Sequence, residues 1–153
     1  MTVNEVYEGT FMRIMGLDVG EKRIGIAVSD PLGWTAQGHS VLKRTTLNND
    51  LASLQELCQQ LECQLLVIGL PRNMNGTLGP KAEEIQEFAR SLQDRTGLPV
   101  VYWDERLTTR SAERILLEAD MSRRRRKQVI DKVAAVHILQ GYLDAAANQK
   151  FDK

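Results

Sequence analysis

Asp18 stands in the apolar run Ile14-Met15-Gly16-Leu17-Asp18-Val19-Gly20, and a second apolar run, Ile24-Gly25-Ile26-Ala27-Val28, follows at once. Burying an ionised carboxylate without a cation or hydrogen-bond donors is costly, so a strand that carries one brings a partner to it. Two further acids can reach the same place. Asp131 shares a helical wheel face with Ala134, Ala135, Ile138 and Tyr142, the face a helix would turn toward a sheet. Asp104 and Glu105 close the apolar run Val100-Val101-Tyr102-Trp103. Adjacent strand residues face opposite sides, so only one of these two joins the group.

Three carboxylates together need neutralising. At about 4 Å and an effective dielectric of about 20, each like-charge pair costs about 4 kcal/mol, a sum comparable to the whole stability of a small domain. Such a cluster is protonated or holds a cation. A hard divalent ion with oxygen ligands, Mg²⁺ or Mn²⁺, suits it, and phosphates commonly complete the coordination. Two such ions about 4 Å apart activate water and stabilise the leaving oxygen in phosphodiester cleavage. Each acid has an ordinary explanation singly: a helix-dipole partner for Asp131, a pair with Arg106 for Glu105, a turn acid before Gly20 for Asp18. Those explanations leave the buried setting of Asp18 unaddressed.

A second feature is the run Arg123-Arg124-Arg125-Arg126-Lys127. It is predicted at or just before the start of the last helix, with Ser122 as a possible N-cap. Cations there oppose the helix dipole, which suggests a phosphate partner about one turn from Asp131. A solvated face is the plainer alternative.

The elements that must position these groups follow from periodicity. Strands are predicted over about Arg13 to Val19 and Arg23 to Ser29, joined by the short turn Gly20-Glu21-Lys22, with a third strand near His39 to Lys43. Alternation puts Ile14, Gly16, Asp18 and Gly20 on one face of the first strand, and Gly25, Ala27 and Ser29 on one face of the second. These small faces leave room for the last helix to dock through Ala134 and Ala135. Asn48, Asn49 and Asp50 are N-cap candidates for a helix that buries Leu51, Leu54, Leu57, Cys58 and Leu61.

The run Leu65-Leu66-Val67-Ile68-Gly69-Leu70 is apolar on both faces and reads as a central parallel strand. The polar loop from Pro71 to Gly79 leaves its carboxyl end, where open α/β sheets bind ligands. Pro80 opens a helix with Ala82, Ile85, Ala89 and Leu92 inward, stopped by Gly97 and Pro99. The fifth strand is expected beside the first. A helix from about Thr108 and a last one through Val129 to about Ala145 complete the order β-β-β-α-β-α-β-α-α. Residues 1–11 read as an N-terminal extension, 12–147 as one domain and 148–153 as a C-terminal tail.

At 153 residues, 42% hydrophobic and 26% charged, the chain fits one domain with one core. No run of about 18 apolar residues would span a membrane, and the N-terminus lacks the order of a signal peptide, so a cytoplasmic location is expected. Cys58 and Cys63 lack a zinc-site spacing and are expected in the core. A formal net charge of zero argues against a uniformly basic coat for nucleic acid but not against local patches.

Gly16-Leu17-Asp18-Val19-Gly20, Ile68-Gly69-Leu70-Pro71, Asp104-Glu105-Arg106-Leu107-Thr108-Thr109 and Asp131-Lys132-Val133-Ala134-Ala135 form four ordered motifs. In these the chain, from about Met12 to Leu143, closely resembles the YqgF (RuvX) family of the RNase H-like nuclease superfamily. The resemblance implies an α/β, RNase H-like fold: a five-stranded mixed sheet, antiparallel β1-β2-β3 then parallel β4 and β5, flanked by helices. It implies an active site of Asp18, Glu105 and Asp131, and it selects Glu105 over Asp104. It further implies a Mg²⁺- or Mn²⁺-dependent nuclease that trims the 5′ end of precursor 16S rRNA and works with ribosomal particles. Branched DNA is the alternative substrate, from the older family label of Holliday junction resolvase.

Candidate nucleic-acid contacts are Lys22, Arg23, Asn73, Asn75, Arg106, Thr108, Thr109, Arg123, Arg124, Arg125, Arg126 and Lys127. Two other classes compete. An actin-like ATPase shares the Gly-x-Asp-x-Gly opening but needs a second lobe, for which 153 residues leave no room. A non-catalytic RNA-binding assembly factor would keep the fold without the chemistry.

Overall fold

A computed structural model describes residues 12–105 and 123–151, with side chains over 12–105 and 132–147. Strands β1 (Arg13–Val19), β2 (Arg23–Ser29) and β3 (Ala36–Lys43) form an antiparallel meander. Then come α1 (Leu47–Leu61), β4 (Cys63–Leu70), α2 (Pro80–Thr96), β5 (Val100–Asp104) and α3 (Arg123–Phe151). The five strands make one sheet in the order β3-β2-β1-β4-β5, with β4 parallel to both β1 and β5. The expected mixed sheet is therefore present. The N-terminal extension 1–11 and the helix expected from Thr108 lie outside the described residues.

Alternation divides the core in two. Met15, Leu17 and Val19 of β1 and Ile24 and Ile26 of β2 face α1 and α2, where Leu51, Leu54, Ile85, Phe88, Ala89 and Leu92 close over them. Each of the large side chains in this layer gains about 1.5–3 kcal/mol from leaving water. Ile14, Ala27, Leu65 and Val67 face the other way and pack with Ala135, Ile138, Leu139 and Leu143 of α3. The small residues decide how near α3 comes. A Cβ on Gly16 would lie 2.7 Å from Leu139 Cβ and 3.2 Å from the Ala135 carbonyl oxygen, so the helix rests directly on β1.

Three boundaries differ from the sequence expectation. β3 begins at Ala36 rather than near His39, because Gln37 and Gly38 pair with Val28 and Ala27 although their polar pattern carries no strand signal. α1 is capped by Thr46, whose hydroxyl accepts the Asn49 N–H at 3.1 Å, not by Asn48, Asn49 or Asp50. Asp50 is instead 2% exposed and accepts the Thr45 N–H and the Arg44 guanidinium. α3 spans Arg123–Phe151: the basic run lies in its first described turns, as expected, but the helix runs past the expected end near Ala145 through most of the expected tail. Polar ends that no core face orders have no periodicity to read. Cys58 and Cys63 are buried and free, as expected.

Candidate active site

The carboxyl ends of β1 and β4 point the same way, and Asp18 lies at that end, one residue before the close of β1. Its partner across the antiparallel pair is Gly25, and the residue that follows the Leu17–Ile68 pairing on β4 is Gly69. Asp18 is thus flanked by backbone without side chains on both sides. Space for a ligand oxygen or another side chain remains above the strand.

Glu105, the residue after β5, fills part of that space. Its Oε1 lies 2.7 Å and its Cγ 3.0 Å from where a Cβ on Gly69 would stand, and Ile138 Cδ1 of α3 lies 2.5 Å from the same point. The fifth strand is not beside the first, contrary to the sequence expectation: β4 intervenes. Glu105 reaches Asp18 by crossing the gap at Gly69, and the two carboxyls share a hydrogen bond. Asp104 turns elsewhere, with Oδ2 3.9 Å from Arg72 Nε.

The electrostatics follow from this geometry. Burial pushes the Glu105 carboxyl up, the Asp18 charge and hydrogen bond push it further, and Lys81 partly offsets them, leaving it at about 7. Glu105 is therefore partly protonated near neutral pH, beside the Asp18 carboxyl. Two oxygen donors brought together across Gly69, one of them raised by burial and by its neighbour, form the donor set a hard divalent cation fits, since the cation replaces the proton. Asp131 sits in α3 one turn before Ala135, whose carbonyl faces Gly16. Its side chain lies outside the described residues, and among the described residues no three metal-ligating side chains cluster.

Of the candidate nucleic-acid contacts, Lys22, Arg23, Asn73 and Asn75 have described side chains, in the segments that leave this end of the sheet. Lys22 is exposed in the β1–β2 turn, and Arg23 begins β2. Asn73 and Asn75 shape the loop after β4. Asn75 Oδ1 accepts from the Thr77 hydroxyl at 2.6 Å and the Thr77 N–H at 3.1 Å, and Asn73 Nδ2 donates to the Thr77 hydroxyl at 3.1 Å. These bonds give both asparagines a loop-forming role. Arg106, Thr108 and Thr109, and the side chains of Arg123 to Lys127, lie outside the described residues. Lys81 is a cation that the sequence pattern did not single out. It occupies the first turn of α2, where the dipole argument applied to the basic run would have flagged it.

Comparison with known proteins shows the family and the fold to which the chain is similar. The family model RuvX, described as "Holliday junction resolvase", matches residues 12–145. A Syntrophomonas wolfei protein named "Putative pre-16S rRNA nuclease" is 68% identical over 136 residues, covering 89% of this chain and 96% of its own. A Moorella thermoacetica protein of the same name is 65% identical, covering 87% and 95%. Among solved structures, Thermus thermophilus RuvC in complex with a Holliday junction substrate has a TM-score of 0.59 at 15% identity, covering 90% of this chain and 96% of that one. The fowlpox virus Holliday junction resolvase has a TM-score of 0.54 at 13% identity, covering 88% and 99%. At such identities these two establish the fold, which is the RNase H-like fold of RuvC-type nucleases. With a family match over most of its length and relatives above 60% identity, the chain belongs to the RuvX family.

Proposed function

We propose that this protein is a divalent-metal-dependent nuclease that hydrolyses phosphodiester bonds at the 5′ end of precursor 16S rRNA, in the cytoplasm and on ribosomal particles. The observation that carries the chemistry is the Asp18–Glu105 pair, two carboxyls in hydrogen-bond contact at the carboxyl ends of the strands. The substrate class rests on the relatives named "Putative pre-16S rRNA nuclease". Among the described residues, no helix is long and apolar enough to cross a membrane.

Asp18, Glu105 and Asp131 would hold Mg²⁺ or Mn²⁺. The bound ion supplies an activated water and charge stabilisation for the leaving oxygen. The chain's own residues do the rest. Asp18 presents its carboxylate from a rigid central strand, and Glu105 gives up its proton as the site loads. Lys22, Arg23, Asn73, Asn75, Arg106, Thr108, Thr109 and the cations from Arg123 to Lys127 grip the strand, the cations by neutralising phosphates.

The test is cleavage of end-labelled precursor 16S rRNA 5′ leader and of a four-way DNA junction, each with Mg²⁺, Mn²⁺ or EDTA, by wild type and Asp18→Asn. Metal-dependent cutting of the leader by wild type alone is expected. Preferential cutting of the junction would move the substrate to branched DNA. Tight binding of the leader without cutting in any metal would make the protein an RNA-binding assembly factor.

A further inference from the structure

The three-residue turn Gly20-Glu21-Lys22 begins two residues after Asp18 and is closed by its own Gly20 N–H to Arg23 carbonyl bond of 2.9 Å. One residue from outside the hairpin takes hold of it. Arg44, just beyond β3, donates from Nη1 to the Gly20 carbonyl at 2.9 Å and from its backbone N–H to the Lys22 carbonyl at 2.9 Å. Both carbonyls of the turn's outer residues are therefore fastened by one amino acid.

Arg44 is itself held on two sides. Its Nε lies 3.2 Å from Asp50 Oδ2, and Asp50, whose side chain is 3% exposed, is kept in place by the Thr45 N–H at 3.0 Å. The guanidinium lies 5.0 Å above the centre of the Phe88 ring in α2. The planar fork makes the Gly20, Asp50 and Phe88 contacts at once, which a lysine ammonium cannot reproduce, while the bond to the Lys22 carbonyl comes from the backbone. An open cleft of about 120 Å³ lies against Val19, Gly20 and Glu21, with Arg44, Lys81, Glu84 and Phe88 in its wall.

We propose that Arg44 is a positioning residue for the metal site, setting the height of the Gly20–Lys22 turn, and through it the end of β1 that presents Asp18. The proposal rests on the reading of Asp18 as a metal ligand. Asp50 and Phe88 orient Arg44 and act one step further out. The geometry explains why a nearly fully buried carboxylate sits at the start of α1, where it serves as an anchor for the arginine.

The test compares the full chain as wild type, Arg44→Met, Arg44→Lys and Asp50→Asn. Mn²⁺ affinity is read by titration calorimetry, and kcat and KM on the RNA leader are read alongside thermal melting. Arg44→Met is expected to weaken Mn²⁺ binding at least tenfold and to lower kcat at least tenfold with KM within threefold. Arg44→Lys should fall between it and wild type. Asp50→Asn keeps one carbonyl oxygen, and so an acceptor for only one of the two donors, and leaves Arg44 in place without its charged anchor. It should be milder than Arg44→Met and gives a folded comparison if that variant melts early. Leu92→Val, a core change that removes none of the turn's hydrogen bonds, controls for lost stability and should leave Mn²⁺ affinity unchanged.

Mn²⁺ affinity within twofold of wild type in Arg44→Met and Asp50→Asn overturns the proposal. So does a weakening that Leu92→Val reproduces at equal loss of melting temperature. A wild-type chain that binds Mn²⁺ but cuts nothing ends the nuclease reading, while the affinity comparison still decides the role of Arg44. A wild-type chain that binds no Mn²⁺ overturns both.

Discussion

Glu105 hydrogen-bonds Asp18 across Gly69, although their strands β5 and β1 are separated by β4. The missing side chain on the intervening strand is what lets the two carboxyls meet. Without a metal Glu105 stays partly protonated near neutral pH, because burial and the Asp18 charge hold it at about 7. The same proton must leave for a cation to enter, so pH, stability and metal binding are linked through one carboxyl.

The sign of that linkage is fixed. Glu105 titrates higher in the folded chain than its ordinary value of 4.5, so between 4.5 and about 7 the folded state binds more protons than the unfolded one. Metal-free stability is therefore fullest below 4.5 and falls as pH rises through about 7. Melting in EDTA should drop by about 10 °C across this window, and Glu105→Gln should flatten the drop. Mn²⁺ should bind more tightly as pH rises through the same window. A melting temperature independent of pH in wild type and Glu105→Gln alike would show that Glu105 is not held protonated.

Gly69→Ala tests the gap itself. The new methyl would stand 2.5 Å from Ile138 Cδ1 and 2.7 Å from Glu105 Oε1. The tip of Ile138 and the Glu105 side chain must both shift, and a shift of Glu105 disturbs its contact with Asp18. Overpacking of this kind costs about 1–3 kcal/mol. Cleavage should fall at least tenfold, and the pH dependence of metal-free melting should shrink toward that of Glu105→Gln. Wild-type cleavage by this variant would show that the Glu105–Asp18 bond is dispensable.

Much of this arrangement was legible before the structure, and the exceptions share a cause. Strict alternation in β1 placed Asp18 on the face with Gly16, away from Met15 and Leu17, because one face of a central strand must be apolar. The doubly apolar run 65–70 could only be an interior strand. By contrast, choosing Glu105 over Asp104 required knowing which way the chain turns after β5, a tertiary fact that the family resemblance supplied and local pattern did not. Asp50 read as a helix cap because its partner, Arg44, is a pairing that spacing does not announce. Gln37 and Gly38 were missed as strand because β3 is a sheet edge whose outward residues stay polar.

Trp103 offers a prediction independent of catalysis. Its indole packs on α3 where a Cβ at Gly141 would come within 2.7 Å of Cζ2, and its Nε1 is buried with no hydrogen-bond partner among the described residues. A buried donor left unsatisfied costs about 1–3 kcal/mol, whereas the ring's apolar area is stabilising. Trp103→Phe loses area but removes the orphaned donor, so melting should change by less than about 3 °C. Gly141→Ala, which forces the helix off the ring, should cost more. A larger loss in Trp103→Phe than in Gly141→Ala would mean that the indole N–H is satisfied after all.

The basic run yields a prediction in which stability and binding move in opposite directions. α3 begins at Arg123 and has no acidic residue in its first turn, so its amino end carries cations where the helix dipole favours anions. Arg124→Glu with Arg125→Glu corrects that mismatch and should raise the melting temperature slightly. If the run grips phosphates, the same pair should raise KM for the RNA leader at least tenfold. It should also flatten the logarithmic salt dependence of binding by about 0.7 for each phosphate that is no longer neutralised. kcat at saturating substrate should change far less, since neither residue is a proposed metal ligand. Unchanged binding and salt slope alongside the stability gain would make the run a solvated face, with the unfavourable charge placement left unexplained by phosphate.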